Sequence, residues 1–233
     1  LIADGAHAIG ASYKGKPAGN FADMTTYSFH PVKQVATGEG GAIVTDNPEL
    51  YEKMLLFRSH GITRDPAMFR CGHQPWDYEQ QTLGPNYRMT DFQAALGSSQ
   101  LKKLPVFLQR RREYVRRYNE AFRNVPGIIT PWQSPDGESA WHLYILRLQL
   151  EQLNVGRDQI FQELWDRGIG VNVHYIPVYY HAYYRDLGYA KGLCPQAEKL
   201  FDEMFTIPLY PAMKEAALER AGISAERLCE YAD

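Results

Sequence analysis

The sequence Ser28-Phe29-His30-Pro31-Val32-Lys33 leads, after three further residues, into Thr37-Gly38-Glu39-Gly40-Gly41. A hydroxyl therefore stands five residues before a lysine, and a glycine-rich segment follows. Strand-like segments flank this stretch at Met24–Phe29 and Ala42–Thr45, so we expect the lysine to lie in a loop between two strands. The glycines predict a tight turn, because glycine adopts backbone conformations that other residues avoid.

Outward from this stretch, short apolar runs alternate with helical patterns, which favours an α/β fold over an all-β fold or a helical bundle. A further strand is predicted at Ile9–Tyr13. The chain opens on Leu1-Ile2-Ala3-Asp4, which is typical of the end of a buried strand. We therefore expect the N-terminal part of this domain to be missing.

Capping signals mark the start of a helix after the second flanking strand. Asp46 or Asn47 can cap it, Pro48 suits its first turn, and Gly61 is expected to stop it. Residues 62–85 then show little periodicity, which predicts a long irregular loop.

A second helix begins with Thr90-Asp91-Phe92-Gln93, which has the form of a capping box. Pro105 is expected to break or kink this helix, and a separate helix is predicted from Phe107 to Phe122. The proline and the long helical pattern place a domain boundary near residue 106. The prediction is a first domain of residues 1–106 and a second of residues 107–233.

The second half mixes strands with helices. Alternating apolar residues predict a half-buried strand at Trp141–Leu150 and another strand at Ile169–Tyr175. Between them, Arg157–Asp166 has a helical pattern that Gly168 stops.

The composition limits the classes of partner. A formal net charge of -2 and a pI near 6.4 give no global attraction to nucleic acid. Cys71, Cys194 and Cys229 are an odd, widely spaced set, which favours a reducing cytoplasm over a disulfide framework or a structural zinc site. No apolar run reaches the roughly 18 residues that span a bilayer, and no leader pattern precedes a cleavage site, so we expect no membrane association.

Two patterns that suggest other chemistry are set aside. Arg110-Arg111-Arg112, with Arg116 and Arg117, has helical spacing and acidic neighbours in Glu113 and Glu120, which is typical of a solvated helix face. His30, Cys71 and His73 lack the spacing of metal ligands. We therefore expect neither nucleic acid nor a metal as a partner.

A second polar cluster, Asp4-Gly5-Ala6-His7, completes the set of residue types that a phosphorylated pyridine aldehyde requires. A carboxylate holds the proton of the pyridinium, a hydroxyl and backbone amides hold the phosphate, and a lysine amine forms the Schiff base. Each residue alone also has an ordinary interpretation, as a cap, a turn or a solvated lysine. The hypothesis therefore depends on their combination.

Six segments of the chain match the motifs of one family. They are Asp-Gly-Ala-His-Ala-Ile-Gly-Ala (4–11), Ser-Phe-His-Pro-Val-Lys (28–33), Thr-Gly-Glu-Gly-Gly-Ala-Ile-Val-Thr (37–45), Arg-Ser-His-Gly-Ile-Thr-Arg-Asp-Pro (58–66), Asn-Tyr-Arg-Met-Thr-Asp (86–91) and Val-Asn-Val-His-Tyr-Ile-Pro-Val (171–178). The chain resembles, over nearly its whole length, the DegT/DnrJ/EryC1/StrS family of sugar aminotransferases. Within it, the segments are most similar to members that aminate C4 of a UDP-linked 4-keto-6-deoxy-N-acetylhexosamine on the route to pseudaminic acid.

The resemblance implies a pyridoxal 5'-phosphate (PLP)-dependent transferase of fold type I. Residues 1–106 would form the C-terminal part of the PLP-binding large domain, and residues 107–233 a small C-terminal α+β domain. The implied substrates are a nucleotide-linked keto-sugar and the pair glutamate and 2-oxoglutarate.

The same resemblance implies a role for each matching residue. Asp4 would lie against the pyridine nitrogen, His7 beside the ring hydroxyl and Ser28 on the phosphate. Lys33 would hold the cofactor and transfer protons. Asn86 matches an asparagine that reaches the phosphate of the neighbouring subunit's cofactor, which implies a homodimer with shared active sites.

Four further residues are candidate contacts to the sugar nucleotide, and each has an ordinary alternative. His174 and Tyr175 lie in a segment by which the family's C-terminal domain approaches the substrate, or His174 is a partly buried strand histidine. Trp76 either covers the substrate or packs within its loop. Arg58 either meets the diphosphate or is a solvated helix end.

Two rival functions stay open. The first is a PLP-dependent sugar dehydratase, in which a histidine replaces the anchoring lysine, and Lys33 argues against it. The second is a truncated, non-catalytic nucleotide-sugar-binding or interaction remnant of the family, because the N-terminal part of the cofactor pocket is expected to be missing.

Overall fold

The structure is a computed structural model that describes residues 1–72 and 74–217. His73, from the discarded metal set, and residues 218–233, which include Cys229, lie outside the described residues. The chain divides into two compact units, Leu1–Leu104 and Pro105–Asp233. Among the described helices, none is both long enough and apolar enough to cross a membrane.

The first unit contains short strands, one complete helix and the first part of a long helix. Its strands are β1 (Ile2–Asp4), β2 (Ser12–Tyr13), β3 (Lys16–Pro17), β4 (Met24–Ser28), β5 (Gly41–Val44), β6 (Ile62–Thr63) and β7 (Glu79–Gln80). Its helices are α1 (Pro48–Arg58) and the start of α2 (Asp91–Phe122), with 3-10 turns at Ala18–Asn20 and Pro66–Met68.

The central sheet of this unit has β4 between a parallel β1 and an antiparallel β5. The strands predicted on either side of the lysine loop are therefore confirmed, each within one residue at either end. The predicted strand Ile9–Tyr13 is wrong except for its last two residues, because Gly10 has a φ of 85° and turns the chain. The opening residues do form a strand, but Ile2 is 66% exposed and is not buried in this structure.

Helix α1 begins where the capping signal predicts. The Asn47 side chain accepts hydrogen bonds from the backbone N–H groups of Glu49 and Leu50, and Pro48 is the first helical residue. Gly61 follows the helix with a φ of 67°, and its N–H donates to the Leu56 carbonyl over 2.7 Å. The helix therefore ends in two successive left-handed residues, because His60 before it also has a positive φ, of 61°, and glycine adopts this conformation without steric cost.

Helix α2 confirms the capping box and corrects the prediction about Pro105. The Thr90 N–H donates to Gln93 Oε1 over 3.0 Å, and the Gln93 N–H donates to Thr90 Oγ1 over 3.4 Å. The helix then continues through Pro105 to Phe122 without interruption. One proline removes a single backbone hydrogen bond, and the C-terminal part of the helix is anchored because Tyr118 and Phe122 are each 1% exposed in the core of the second unit.

The segment 62–85 is more ordered than predicted. Strands β6 and β7 pair antiparallel within it, with Ile62 opposite Gln80 and Thr63 opposite Glu79. Glu79 also accepts the backbone N–H of Arg70 over 2.9 Å. The irregular stretch is therefore a closed loop between two short paired strands.

The second unit contains the end of α2 and the remaining elements. They are β8 (Ile128–Ile129), β9 (Gly137–Glu138), β10 (Tyr144–Leu148), α3 (Arg157–Asp166), α4 (Ala182–Asp186), α5 (Pro195–Glu203) and β11 (Met204–Ile207), with 3-10 turns at Leu150–Gln152 and Val178–Tyr180.

The core of this unit forms around β10, which lies between antiparallel β8 and β11. Tyr144, Leu146 and Leu148 are fully buried and the residues between them are half-buried, as the predicted alternation requires. Helix α3 has the predicted bounds, and Gly168 after it has a φ of 74°.

The strand predicted at Ile169–Tyr175 is wrong. The Val171 N–H donates to the Ile169 carbonyl over 2.9 Å, which closes a tight three-residue turn. Only Asn172 pairs with a strand, through an isolated bridge to Thr206. Ile169 and Val171, two of the apolar residues that suggested a strand, are buried within this turn.

The basic run on α2 is only partly a solvated face. Arg116 pairs with Glu113 and Glu120 as predicted. Arg111 instead is 3% exposed, and its guanidinium donates to the carbonyls of Trp141, His142 and Leu209 over 2.9 to 3.1 Å. Burial lowers the pKa of Arg111 to about 10, so this residue is a charged structural bridge within the second unit.

Candidate active site

Asp4 and Ser28 lie at the same edge of the central sheet. Asp4 is the last residue of β1 and stands opposite Thr26 of the parallel strand β4, which ends two residues later at Ser28. The carboxyl ends of parallel strands meet at one edge, where ligands of α/β proteins commonly bind. Asp4 Oδ1 accepts the N–H of Ala6 over 2.9 Å, and its side chain is otherwise exposed.

The turn after Asp4 requires glycine. The Gly5 N–H donates to the Thr26 carbonyl over 2.8 Å. A Cβ at this position would lie 2.9 Å from the same oxygen and 2.8 Å from Thr25 Cγ2. Gly5 therefore lets the chain that leads from Asp4 to His7 lie directly against β4.

Lys33 occupies a closed loop that leaves this sheet edge. The Phe29 N–H donates to the Gly40 carbonyl over 2.8 Å, and the Thr37 N–H donates to the Phe29 carbonyl over 2.9 Å. Within the loop, the Lys33 N–H donates to the His30 carbonyl over 2.9 Å, which forms a turn. Among residues 1–72 and 74–217, none makes a hydrogen bond or an ion pair with the Lys33 ammonium group.

The glycine-rich part of the loop is tightly packed. Ser28 stands opposite Gly41, and its Oγ accepts the N–H of His30 over 3.3 Å. Thr37 Oγ1 donates to the Glu39 carbonyl over 2.7 Å, and a Cβ on Gly40 would lie 2.6 Å from that hydroxyl. The loop conformation therefore depends on glycine at residue 40.

Gln34 is a further member of this site, and no sequence motif predicts it. Its side chain is 3% exposed, and its Nε2 donates to the His7 carbonyl over 2.9 Å. This bond joins the lysine loop to the turn after Asp4, while the His7 side chain is exposed. No periodic pattern includes Gln34, and its position next to a candidate lysine was the only available signal.

Arg58 and Asn86 are brought together by a second set of backbone contacts. Asn86 forms an isolated antiparallel bridge with Ser59, and the Tyr87 N–H donates to the Arg58 carbonyl over 2.9 Å. Both side chains are exposed. Trp76 is 74% exposed, so it does not pack within its own loop.

His174 and Tyr175 belong to the second unit. His174 Nδ1 lies 2.8 Å from Thr206 Oγ1, and the ring centroids of His174 and Tyr175 are 4.7 Å apart in an edge-on arrangement. Tyr175 is 63% exposed. The hydroxyl of Thr206 on β11 therefore orients a partly buried histidine next to an exposed tyrosine.

The chemistry of the first unit fits PLP. A carboxylate and a hydroxyl lie at one sheet edge, and a primary amine lies on the loop that leaves it. These are the groups that a pyridinium nitrogen, a phosphate and an aldehyde require. The fold and this set of residues fit part of a PLP-binding domain.

The chain belongs to the DegT/DnrJ/EryC1/StrS aminotransferase family, whose profile matches residues 1–223. It is 38% identical over 214 residues to the UDP-4-amino-4,6-dideoxy-N-acetyl-beta-L-altrosamine transaminase of Campylobacter jejuni, covering 91% of this chain and 54% of that protein. It is also 38% identical over 217 residues to the spore coat polysaccharide biosynthesis protein SpsC of Bacillus subtilis, covering 92% of this chain and 56% of that protein.

Solved structures agree with this assignment. PseC of Helicobacter pylori, an aminotransferase involved in pseudaminic acid biosynthesis, is 32% identical with a TM-score of 0.87 and covers 98% of this chain and 59% of that chain. The PLP form of the putative sugar aminotransferase Spr1654 of Streptococcus pneumoniae is 34% identical, with a TM-score of 0.85. The match covers 98% of this chain and 57% of the Spr1654 chain. The family and these structures indicate PLP as the cofactor, and the chain spans little more than half the length of these relatives.

Proposed function

We propose that this chain carries the cofactor-holding lysine of an aminotransferase that moves an amino group from glutamate to C4 of a UDP-linked keto-deoxy-sugar. The observation that supports this most strongly is the position of Lys33. Lys33 lies on a loop that starts at the sheet edge where Asp4 and Ser28 lie, and its amine has no partner among the described residues.

Bound PLP supplies an electron sink that stabilises negative charge at the carbon from which a proton is removed. Asp4 holds the proton of the pyridine nitrogen through its carboxylate. Ser28 donates its hydroxyl to the phosphate. Lys33 Nζ takes the α-proton of glutamate and delivers a proton to the sugar carbon in the return half of the reaction. His7 is assigned to the ring hydroxyl.

The sugar nucleotide is assigned to four residues. Arg58 is an exposed cation suited to the diphosphate, and Trp76 is an exposed aromatic suited to the face of a sugar or base. His174 and Tyr175 are assigned to the sugar, with Thr206 fixing the imidazole. Arg58, His174 and Tyr175 lie in the matched segments 58–66 and 171–178, whereas Trp76 is assigned as an exposed aromatic of the loop between residues 62 and 85.

A homodimer with shared active sites is part of the same proposal. Asn86 is exposed, so it is available to reach the cofactor phosphate of a second copy. Phe92 and Leu96 lie one turn apart on α2 and are 91% and 44% exposed. Exposed apolar residues on one helix face are typical of a surface that a partner covers.

We also propose an assignment of the two domains and of the cellular compartment. Residues 1–106 are assigned to the large PLP-binding domain and residues 107–233 to the small domain. Within residues 1–72 and 74–217, Cys71 and Cys194 are free thiols and both are exposed, which favours a cytoplasmic location.

The test is a coupled assay of 2-oxoglutarate release, with glutamate and a panel of UDP- and dTDP-linked keto-sugars. The full-length protein is expected to turn over UDP-linked 4-keto sugars fastest. A preference for a 3-keto or dTDP-linked sugar would overturn the substrate assignment. A PLP-loaded protein that turns over none of them would contradict the proposed aminotransferase activity.

A further inference from the structure

Gln34 is a buried polar residue that is only half satisfied. Its Nε2 donates to the His7 carbonyl over 2.9 Å, but no described residue hydrogen-bonds its Oε1, which is completely buried. A buried acceptor without a partner lowers stability. Folding stability alone therefore does not explain a glutamine at this position.

The bond of Gln34 joins two turns that lie 27 residues apart in sequence. One turn is fixed to Asp4, through the Ala6 N–H on Asp4 Oδ1 and the Ala8 N–H on the Gly5 carbonyl. The other turn is fixed by the Lys33 N–H on the His30 carbonyl. Gln34 completes a continuous series of hydrogen bonds from the carboxylate at the strand end to the residue next to the lysine.

Both turns also attach to β4, one through the Gly5 N–H on the Thr26 carbonyl and the other where Phe29 follows the strand, and the bond of Gln34 adds a direct link between them beyond the sheet edge. The loop is anchored at its base by Phe29 and Thr37, and Val35 is fully buried. Between these anchors, the Gln34 side chain donates a hydrogen bond to the His7 carbonyl. Loss of this bond is therefore expected to loosen the Lys33 backbone relative to Asp4 and His7.

We propose that Gln34 is a positioning residue that fixes the Lys33 loop at a set distance from the turn carrying Asp4 and His7. The inference rests on the proposed function in one respect, because it takes Lys33 to be the amine that reacts with PLP. Gln34 itself acts through the backbone of Lys33 and need not touch the cofactor.

Gln34→Met in the full-length protein is the first test. Methionine has a similar volume and removes both the bond to His7 and the unsatisfied oxygen, so the melting temperature is expected to stay nearly unchanged. The apoprotein amides of residues 33–37 are expected to exchange with deuterium about tenfold faster. The dissociation constant for PLP is expected to rise about tenfold. The visible band of bound PLP reports the environment of the Lys33 nitrogen, and its pH midpoint is expected to shift.

Gln81→Met is the matched control. Gln81 is also partly buried and donates its Nε2 to a backbone carbonyl, that of Met68, over 2.9 Å. The same substitution there is expected to leave amide exchange at residues 33–37 and PLP binding as in the wild type. Equal effects of both substitutions would overturn the proposal.

Gln34→Leu places an apolar side chain of comparable size at this position and cannot donate to the His7 carbonyl. It is expected to reproduce the faster exchange and the weaker PLP binding. Wild-type exchange and wild-type PLP binding in this variant would overturn the proposal, even if Gln34→Met failed to fold. If instead Lys33 is not the residue that holds PLP, the wild-type protein will form no borohydride-stable adduct at Lys33. The amide-exchange result does not depend on PLP, so the two failures can be distinguished.

Discussion

The Gln93 side chain donates a 2.8 Å hydrogen bond from Nε2 to the carbonyl oxygen of Glu39. The same side chain caps α2, because its Oε1 accepts the N–H and the hydroxyl of Thr90 over 3.0 and 2.9 Å. One amide group thus fixes a helix start and the glycine-rich loop that follows Lys33. Gly97, one turn further on, allows this approach, because a Cβ there would lie 3.0 Å from Thr37 Cγ2.

Substitutions at the two residues of this cap are expected to separate helix stability from cofactor binding. Thr90→Ala removes a cap acceptor and should lower the free energy of unfolding by about 1 kcal/mol, with PLP affinity little changed. Gln93→Glu keeps the cap acceptor and loses the donor to Glu39, so the PLP dissociation constant should rise about fivefold. Thermal unfolding and PLP titration of both variants check this, and the opposite pattern would contradict the coupling.

Asp4→Asn is expected to abolish the electrostatic role of Asp4 without disturbing its turn. The asparagine oxygen can still accept the N–H of Ala6, but the negative charge is lost. Turnover should fall at least about a hundredfold, because a fixed charge no longer stabilises the protonated pyridine nitrogen. Steady-state kinetics with circular dichroism as the folding control test this, and a variant with near wild-type turnover would refute the role of Asp4.

Phe92→Asp is expected to convert the proposed dimer into monomers. A carboxylate on an apolar face that a second copy covers would have to be desolvated there. Trp132→Asp is the control, because Trp132 is also highly exposed, at 82%, but lies outside the proposed interface. Sedimentation velocity should show a monomer for the first variant only. A monomeric wild type, or a dimer that survives Phe92→Asp, would argue against shared active sites through this face.

Glu198 predicts an acid-sensitive contribution to the stability of the second unit. The Tyr179 hydroxyl donates to Glu198 Oε1 over 2.7 Å and lowers the pKa of this carboxyl below its ordinary value of 4.5. A lowered pKa in the folded state means that the stabilisation is present above pH 4.5 and is lost as pH falls through the folded-state pKa. The pKa of Tyr179 is raised to about 12 by burial and by this bond, so the hydroxyl remains a donor throughout.

Glu198→Gln keeps an acceptor but does not titrate. Its free energy of unfolding should therefore fall less steeply than that of the wild type between pH 4.5 and pH 3, measured by urea denaturation. Parallel curves for the two proteins in this range would show that the bond to Tyr179 does not contribute.

The sequence predicted best those elements that short-range chemistry determines. The cap at Asn47, the box at Thr90 and the alternation along β10 were all confirmed, because each depends on residues within one or two turns or on a single strand face. The strand at Ile169–Tyr175 and the break at Pro105 were wrong, because packing in the second unit determined the backbone there. Within the site, Lys33, Ser28 and Asp4 followed from motifs, whereas the bond of Gln34 to His7 spans 27 residues and has no local signal.

The central claim, that Lys33 is the residue that holds PLP, is tested most directly by reductive labelling. The full-length protein is incubated with PLP, reduced with borohydride and digested, and the labelled peptide is identified by mass spectrometry. The account predicts one dominant label on the peptide that contains Lys33, and its loss together with the visible absorbance in Lys33→Ala. A dominant label on another lysine, or a Lys33→Ala variant that stays yellow and active, would contradict it.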